Sequence, residues 1–326
     1  MTKVTWSIVF VLFVVFSGQI LMAKTKTIEK SFPVKSGGQL TIDSDFGSIE
    51  VESSGSNEVE VKVVQEFRGL DQDEVEEFLN DFKVDFEQTG DDVKIIAKYR
   101  RSRKKDLWDD VRIKFLVHIP KKFDVDLNTS GGSISVANLE GDVKAHTAGG
   151  SLSFGHITGP VTGKTSGGSV SLQSSTQDAY IQTSGGSITV GDIGGELDAK
   201  TSGGSITVRK AKGEVNVSSS GGSISVDEVM GAIDASTSGG SVTAYLSKQP
   251  RKDCRLKTSG GTVTVFIDKD IGLYLDAKSS SGRVDCDFDI LMKGPTEKNW
   301  LRGELNGGGP DLYLRTSGGN IYIEGK

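Results

Sequence analysis

Apolar side chains recur along most of this chain at two interleaved spacings, two residues within a short run and nine between runs. Counting from the first glycine of each Gly-Gly pair, position 4 is Ile134, Leu152, Val170, Ile188, Ile206, Ile224 and Val242, and position 6 is Val136, Phe154, Leu172, Val190, Val208, Val226 and Ala244. Position 13 is Val143, Val161, Ala179, Leu197, Val215 and Ile233, and position 15 is Ala145, Gly163, Ile181, Ala199, Val217 and Ala235. The pairs open at residues 131, 149, 167, 185, 203, 221 and 239, a strict period of 18, with looser copies at Gly260-Gly261, Ser281-Gly282 and Gly318-Gly319. Alternation with period two turns positions 4, 6, 13 and 15 inward and 3, 5, 12, 14 and 16 outward. A fixed period of this length marks a small unit that completes its core only by stacking on its neighbours.

Two short strands per copy therefore predict an all-β fold, a parallel β-solenoid of two facing sheets with 18-residue coils and about ten coils in all. Glycine at the corners is expected to supply positive φ or close backbone approach. A helix built from hexapeptides shares the period but needs an apolar residue every six positions. An antiparallel meander could place its turns at the same glycines. The parallel coil is preferred because like residues then stack on like, which suits the Ser/Thr ladder at positions 3 and 5. That ladder can serve as a hydrated structural face or as a hydroxyl array for contact.

Before residue 129 the period is loose. Residues 39–42, 47–51, 59–63, 93–99 and 111–119 alternate as half-buried strands do, and Asp45-Phe46-Gly47-Ser48-Ile49 looks like a degenerate first copy. Asp71 opens one short helix to about residue 82, with Val75, Phe78, Leu79 and Phe82 as its apolar stripe. Such a helix would lie over the open end or one flank of the coil, where exposed strand edges invite aggregation. After Gly239 the next two intervals are 21 residues, and 37 separate Ser281 from Gly318. Residues 291–310, with Trp300 and Gly307-Gly308-Gly309-Pro310, then read as an insertion that caps the C-terminal end. Residues 1–23 read as a signal peptide: Lys3, an apolar run over 4–16, and small residues up to Ala23. The competing reading is an uncleaved anchor; after cleavage no transmembrane span remains. The chain thus divides into a signal (1–23), a β-rich region with the helix (24–128) and the repeat domain (129–326).

Hydrophobic residues make up 35% of the 326 and glycines number 42, which fits a thin apolar seam with many corners. The formal charge of −6 is spread along the chain and argues against nucleic acid as a partner. Position 12 stacks Asp178, Glu196 and Glu214, and position 14 stacks Asp198 and Asp234 around Asn216, with no arginine in the column. Stacked carboxylates could hold a cation or act as the carboxylate pair of a sugar-cleaving enzyme, and could equally be a solvated face. Arg101, Arg103 and Lys104 form the densest basic cluster, a hairpin tip or a contact for an anionic envelope polymer or lipid. The residues after Gly-Gly lack the Asp of calcium-binding β-rolls, and the three histidines have no metal-ligand spacing, so neither a metal nor a cofactor is expected. Cys254 and Cys286 fall about two coils apart on opposite sheets and are expected as small buried residues; export would permit a bridge.

The chain resembles the bacterial putative-adhesin family of unknown function. The resemblance lies in Phe32-Pro33-Val34, Gly37-Gly38-Gln39-Leu40, residues 46–51, His118-Ile119-Pro120 and the Thr-Ser-Gly-Gly-Ser-Ile copies from Thr129 onward. It implies an exported β-solenoid of the cell envelope, periplasmic, surface-bound or extracellular. It also implies an adhesin-like scaffold that meets an envelope polysaccharide or another surface protein. No catalytic residues belong to the family pattern, so a non-enzymatic protein is expected. The alternative is a polysaccharide-active β-helix lyase or hydrolase using the acidic column.

Overall fold

The structure, a computed structural model, describes residues 24–99, 110–293 and 297–326. The expected signal peptide and the basic cluster Arg101, Arg103 and Lys104 lie outside the described residues. Among those described, no helix is long and apolar enough to cross a membrane.

Strands pair in parallel with partners 18 residues away: Val170 with Ile188 in one sheet, Ala179 with Leu197 in the other. Parallel pairing rules out the meander. The strands form two facing sheets. One carries positions 3 to 9 with Ser and Thr outward, and is called the hydroxyl sheet below. The other carries positions 12 to 17 with most of the outward charge, and is called the charged sheet. Together they stack into twelve coils rather than ten, because residues 39–54, and likewise the strands Asp92–Tyr99 and Val111–Pro120, make a coil in line with the repeats. No break in either sheet falls at residue 128.

The core is the seam between the sheets. Positions 4, 6, 13 and 15 are buried as the pattern requires, and position 9 (Ile157, Ile193, Ala211, Val229) adds a further apolar row. Large and small residues compensate across the seam: Gly163 leaves room for the Phe154 ring, which a Cβ there would meet at 2.9 Å.

The Thr-Ser-Gly-Gly-Ser corner is built by close approach between coils. Within Thr201–Ser205, the Thr201 hydroxyl is buried; it donates to the Gly186 carbonyl of the preceding coil at 2.8 Å and accepts from Gly204 N–H at 3.3 Å. A Cβ on Gly204 would lie 2.1 Å from that same Gly186 carbonyl, so only glycine fits. From Gly131 to Gly261 none of the paired glycines is left-handed. Of the two reasons expected for corner glycine, backbone proximity is the one that operates. The serine after the pair then extends the ladder, its Oγ accepting the backbone N–H of the next coil, as Ser187 Oγ does from Ser205 N–H at 3.2 Å.

Chain order and spatial order part company at both ends. The coil of residues 39–54 slots inside the strands Asp92–Tyr99 and Val111–Pro120, and the last coil, Asp311–Thr316 with Ile321–Gly325, slots inside Leu273–Ser279 and Val284–Cys286. Antiparallel strands explain this. Val111–Pro120 pairs with Glu58–Phe67, Asp92–Tyr99 with Phe82–Thr89, and Leu273–Ser279 with Trp300–Leu305, all antiparallel. A coil flanked by an antiparallel strand cannot be extended by another coil, so it must be terminal. Trp300–Leu305 and Leu291–Met292 are the outermost strands of the charged sheet at its C-terminal end.

The helix, α1, spans Gln72–Asp81. Asp71 caps it, accepting from Glu74 N–H at 2.8 Å while the Glu74 carboxylate accepts from Asp71 N–H at 3.1 Å. Phe82, expected as part of the stripe, is already extended and begins the edge strand Phe82–Thr89. The helix crosses from one sheet to the other at the N-terminal end. There Phe78 packs against the rings of Phe46, Phe67, Phe82 and Tyr99 at 5.6–6.0 Å and closes the seam.

Candidate functional site

The 18-residue register places the acidic residues as columns on the outer face of the charged sheet. Asp178, Glu196, Glu214, Asp198 and Asn216 line a shallow depression of about 370 Å³ together with Pro160 and Tyr180. Its carboxylates are largely engaged. Asp178 accepts from Glu196 N–H at 2.8 Å, and Asp198 accepts from Lys200 Nζ at 2.9 Å and from Asn216 at 3.4 Å. Glu214 pairs with Lys252. Hydrogen bonding to Asp198 raises the pKa of Lys200, and hydrogen bonding to Glu214 raises that of Lys252. Asp198 Oδ1 is buried without a partner. The expectation that no arginine joins the column needs correction. The 21-residue interval brings Arg255 into register directly beside Asp234, with 3.9 Å between their charged atoms.

Beyond Asp234 the columns change character. Position 14 continues as Arg255, Tyr313, Asp276 and Arg302, and position 16 as Lys257, Arg315, Lys278 and Trp300. Trp300, expected as a surface contact, is the anchor of this grid: its Nε1–H donates to Asp276 Oδ1 at 3.1 Å, and Lys278 Nζ stands 4.6 Å from the ring centroid. Arg315 reaches Asp276 at 2.8 Å. Burial pushes the Asp276 carboxyl up, but hydrogen bonds from Arg315 and Trp300 and the charges of Arg315 and Arg302 outweigh it, and its pKa lies below the ordinary value. Tyr313 sits between Arg255 and Arg315, 5.7 and 5.9 Å from its ring centroid, and these three with Lys257 line a second depression of about 230 Å³. Lys257 and Lys278 are exposed and have no carboxylate partner among the described residues.

The remaining candidates do not assemble into chemistry. Cys254 is buried in the charged sheet, and Cys286 stands half-buried in the hydroxyl sheet with the coil of 311–325 between them. His118 faces Glu52 and Glu60 at 3.5 and 3.8 Å, and His156 meets Ser174 at 2.8 Å. Among the described residues no three His, Cys, Asp or Glu side chains converge as a metal set.

The grid escaped the sequence reading because Arg255 and Tyr313 lie far apart in the chain and become neighbours only when the last coil is threaded inward. A signal existed. Aligning Thr258, Thr316 and Ser279 on their Gly-containing corners puts Lys257, Arg315 and Lys278 at the same position.

No curated protein matches the sequence. Among solved structures, the chain is similar to a "putative adhesin" from Bacteroides fragilis NCTC 9343, at 11% identity and TM-score 0.31 over 91% of this chain and 97% of that one. It is also similar to a "putative lipid binding protein" from Parabacteroides distasonis ATCC 8503, at 15% identity and TM-score 0.39 over 91% and 96%. A third likeness is to a "putative cell adhesion protein" from Clostridium sporogenes ATCC 15579, at 12% identity and TM-score 0.24 over 93% and 100%. Residues 38–324, from the first inner coil to the last, match the family model described as Toastrack DUF4097, and the chain belongs to that family.

Proposed function

We propose that the protein is an exported, non-enzymatic scaffold of the cell envelope, adhesin-like, that binds other envelope components through the outer face of its charged sheet. One observation carries the reading. The side chains with recognition chemistry stand in straight rows on a flat exposed face, one per coil, and the cations and aromatic rings gather where the repeat is interrupted. A regular rod of this kind suits contact with an extended partner better than enclosure of a small one. Asp198, Glu214 and Asp234 are ion-paired with Lys200, Lys252 and Arg255, the alternation of charge that suits a contact face.

The test is capture of envelope fractions by the purified protein, with a glycan array to identify the bound component, and failure of every fraction defeats the proposal. Glu196→Gln with Glu214→Gln separates it from a lyase or hydrolase working in the acidic depression. A scaffold keeps its binding in that variant; an enzyme loses turnover.

A further inference from the structure

We propose that the row Lys257–Arg315–Lys278, with Arg255 beside it, binds an extended polysaccharide carrying a carboxylate on each sugar. The proposal rests on the scaffold reading and names its ligand class. Elsewhere on the charged sheet many cations pair with carboxylates, as in Lys144 with Asp142, Lys200 with Asp198 and Glu214 with Lys252. Here three cations occupy directly paired places on adjacent strands, and only Arg315 has a carboxylate partner. Like charges directly opposite one another destabilise a sheet, and an anionic ligand would relieve that repulsion.

Geometry selects the ligand. Adjacent strands are about 4.8 Å apart, close to the length of one sugar unit in an extended chain; where successive sugars face opposite ways, every second carboxylate meets the sheet at about 9.6 Å, the separation of Lys257 and Lys278, which stand two strands apart with Arg315 between them. An extended acidic peptide is out of step: its side chains reach the same face only every second residue, about 6.8 Å apart. An anionic membrane is disfavoured because Asp311, which has no cationic partner among the described residues, stands on the same face in the row that also holds Tyr274 and would be pressed onto the headgroups. The depression beside Tyr313 offers a ring against which a sugar can pack, between Arg255 and Arg315.

The experiment measures binding of the purified protein to polygalacturonate, with neutral dextran, poly-glutamate and phosphatidylglycerol vesicles as comparison ligands. Polygalacturonate should bind best, and more weakly as salt rises. Lys257→Gln with Lys278→Gln should weaken it by about tenfold or more. Lys94→Gln, near the other end of the sheet, should not. Both lysines in the double variant are exposed, so a melting temperature no lower than that of the unmodified protein shows an intact fold. Equal binding by the double variant, or equal or tighter binding of poly-glutamate or vesicles, overturns the proposal. If the double variant still captures envelope fractions as well as the unmodified protein, this assignment falls and the scaffold reading stands. If polygalacturonate binds through this row but no envelope fraction is captured, the scaffold reading alone falls.

Discussion

Replacing Gly204 by alanine should destabilise the array far more than replacing its neighbour Gly203. A Cβ on Gly204 would stand 2.1 Å from the Gly186 carbonyl oxygen and 2.5 Å from Ser187 N, both backbone atoms of the preceding coil. Ordinary contacts begin near about 3.5 Å, so the two coils must part locally by more than about 1 Å. Overpacking of that kind costs about 1–3 kcal/mol. The same movement strains the Thr201 hydroxyl bridge, which adds about 1 kcal/mol. A Cβ on Gly203 meets the Gly185 carbonyl at 3.0 Å, which a shift of a few tenths of an ångström relieves. Both substitutions stiffen the unfolded chain equally, by about 0.4–1 kcal/mol, so that contribution cancels in the comparison. The expected gap between the variants is about 2–4 kcal/mol, the difference between the two sets of contacts. Urea unfolding followed by circular dichroism measures it. Hydrogen exchange at Ile206, whose N–H donates to the Ser223 carbonyl at 2.9 Å, reports whether loosening is local to these coils. Variants with equal midpoints would refute the claim that corner glycine is required by coil-to-coil contact.

Three further outcomes follow from the geometry. Thr201→Val keeps the side chain's shape but removes a buried hydroxyl that bridges two coils, and should cost about 1–3 kcal/mol by urea unfolding, whereas Thr201→Ser should cost much less; equal losses would show that the methyl group, not the hydroxyl, matters. The pKa of Asp276 is depressed in the folded state, so its stabilising effect is fully present above the unfolded value of about 3.9 and is lost as pH falls through the folded value. The stability gap between the unmodified chain and Asp276→Asn should therefore be constant at neutral pH and shrink in acid, and a gap that persists unchanged through the acid range contradicts the Arg315 pairing. Burial pushes the Cys254 thiol up to about 11 and also raises that of Cys286. Near pH 8 a disulfide reagent should leave Cys254 unmodified until urea unfolds the chain, and labelling at the unfolded rate would show that the seam opens readily.

The coil itself was legible because stacking is a repetition: Val170 pairs with Ile188 and Ile188 with Ile206, so whatever suits one place suits the next, and the period appears in the letters. The threonine of each corner was not legible as an inward residue. Thr201 reads as polar, and it is buried only because the carbonyl of Gly186 lies where its hydroxyl can reach. The edge strands Lys24–Pro33 and Phe82–Thr89 were missed for a different reason. They pair on one side only and alternate weakly, so the pattern that marks a buried strand is faint in them.

The same repetition explains why the acidic column was visible and the cationic grid was not. Asp178, Glu196 and Glu214 follow one another at the 18-residue interval, and counting finds them. Lys257, Arg315 and Lys278 are neighbours only because antiparallel strands force the coil of 273–286 to the end and the last coil inside it. A strict solenoid gives every coil much the same outward chemistry, so it can distinguish one place from another only where the period fails. At the C-terminal end the interval lengthens, the chain turns back, and three cations fall into one row with two of them unpaired. On the proposed reading, an anionic ligand supplies the carboxylate partners that Lys257 and Lys278 lack among the described residues. The row is therefore the part of the surface whose composition is least explained by the fold and most in need of a ligand.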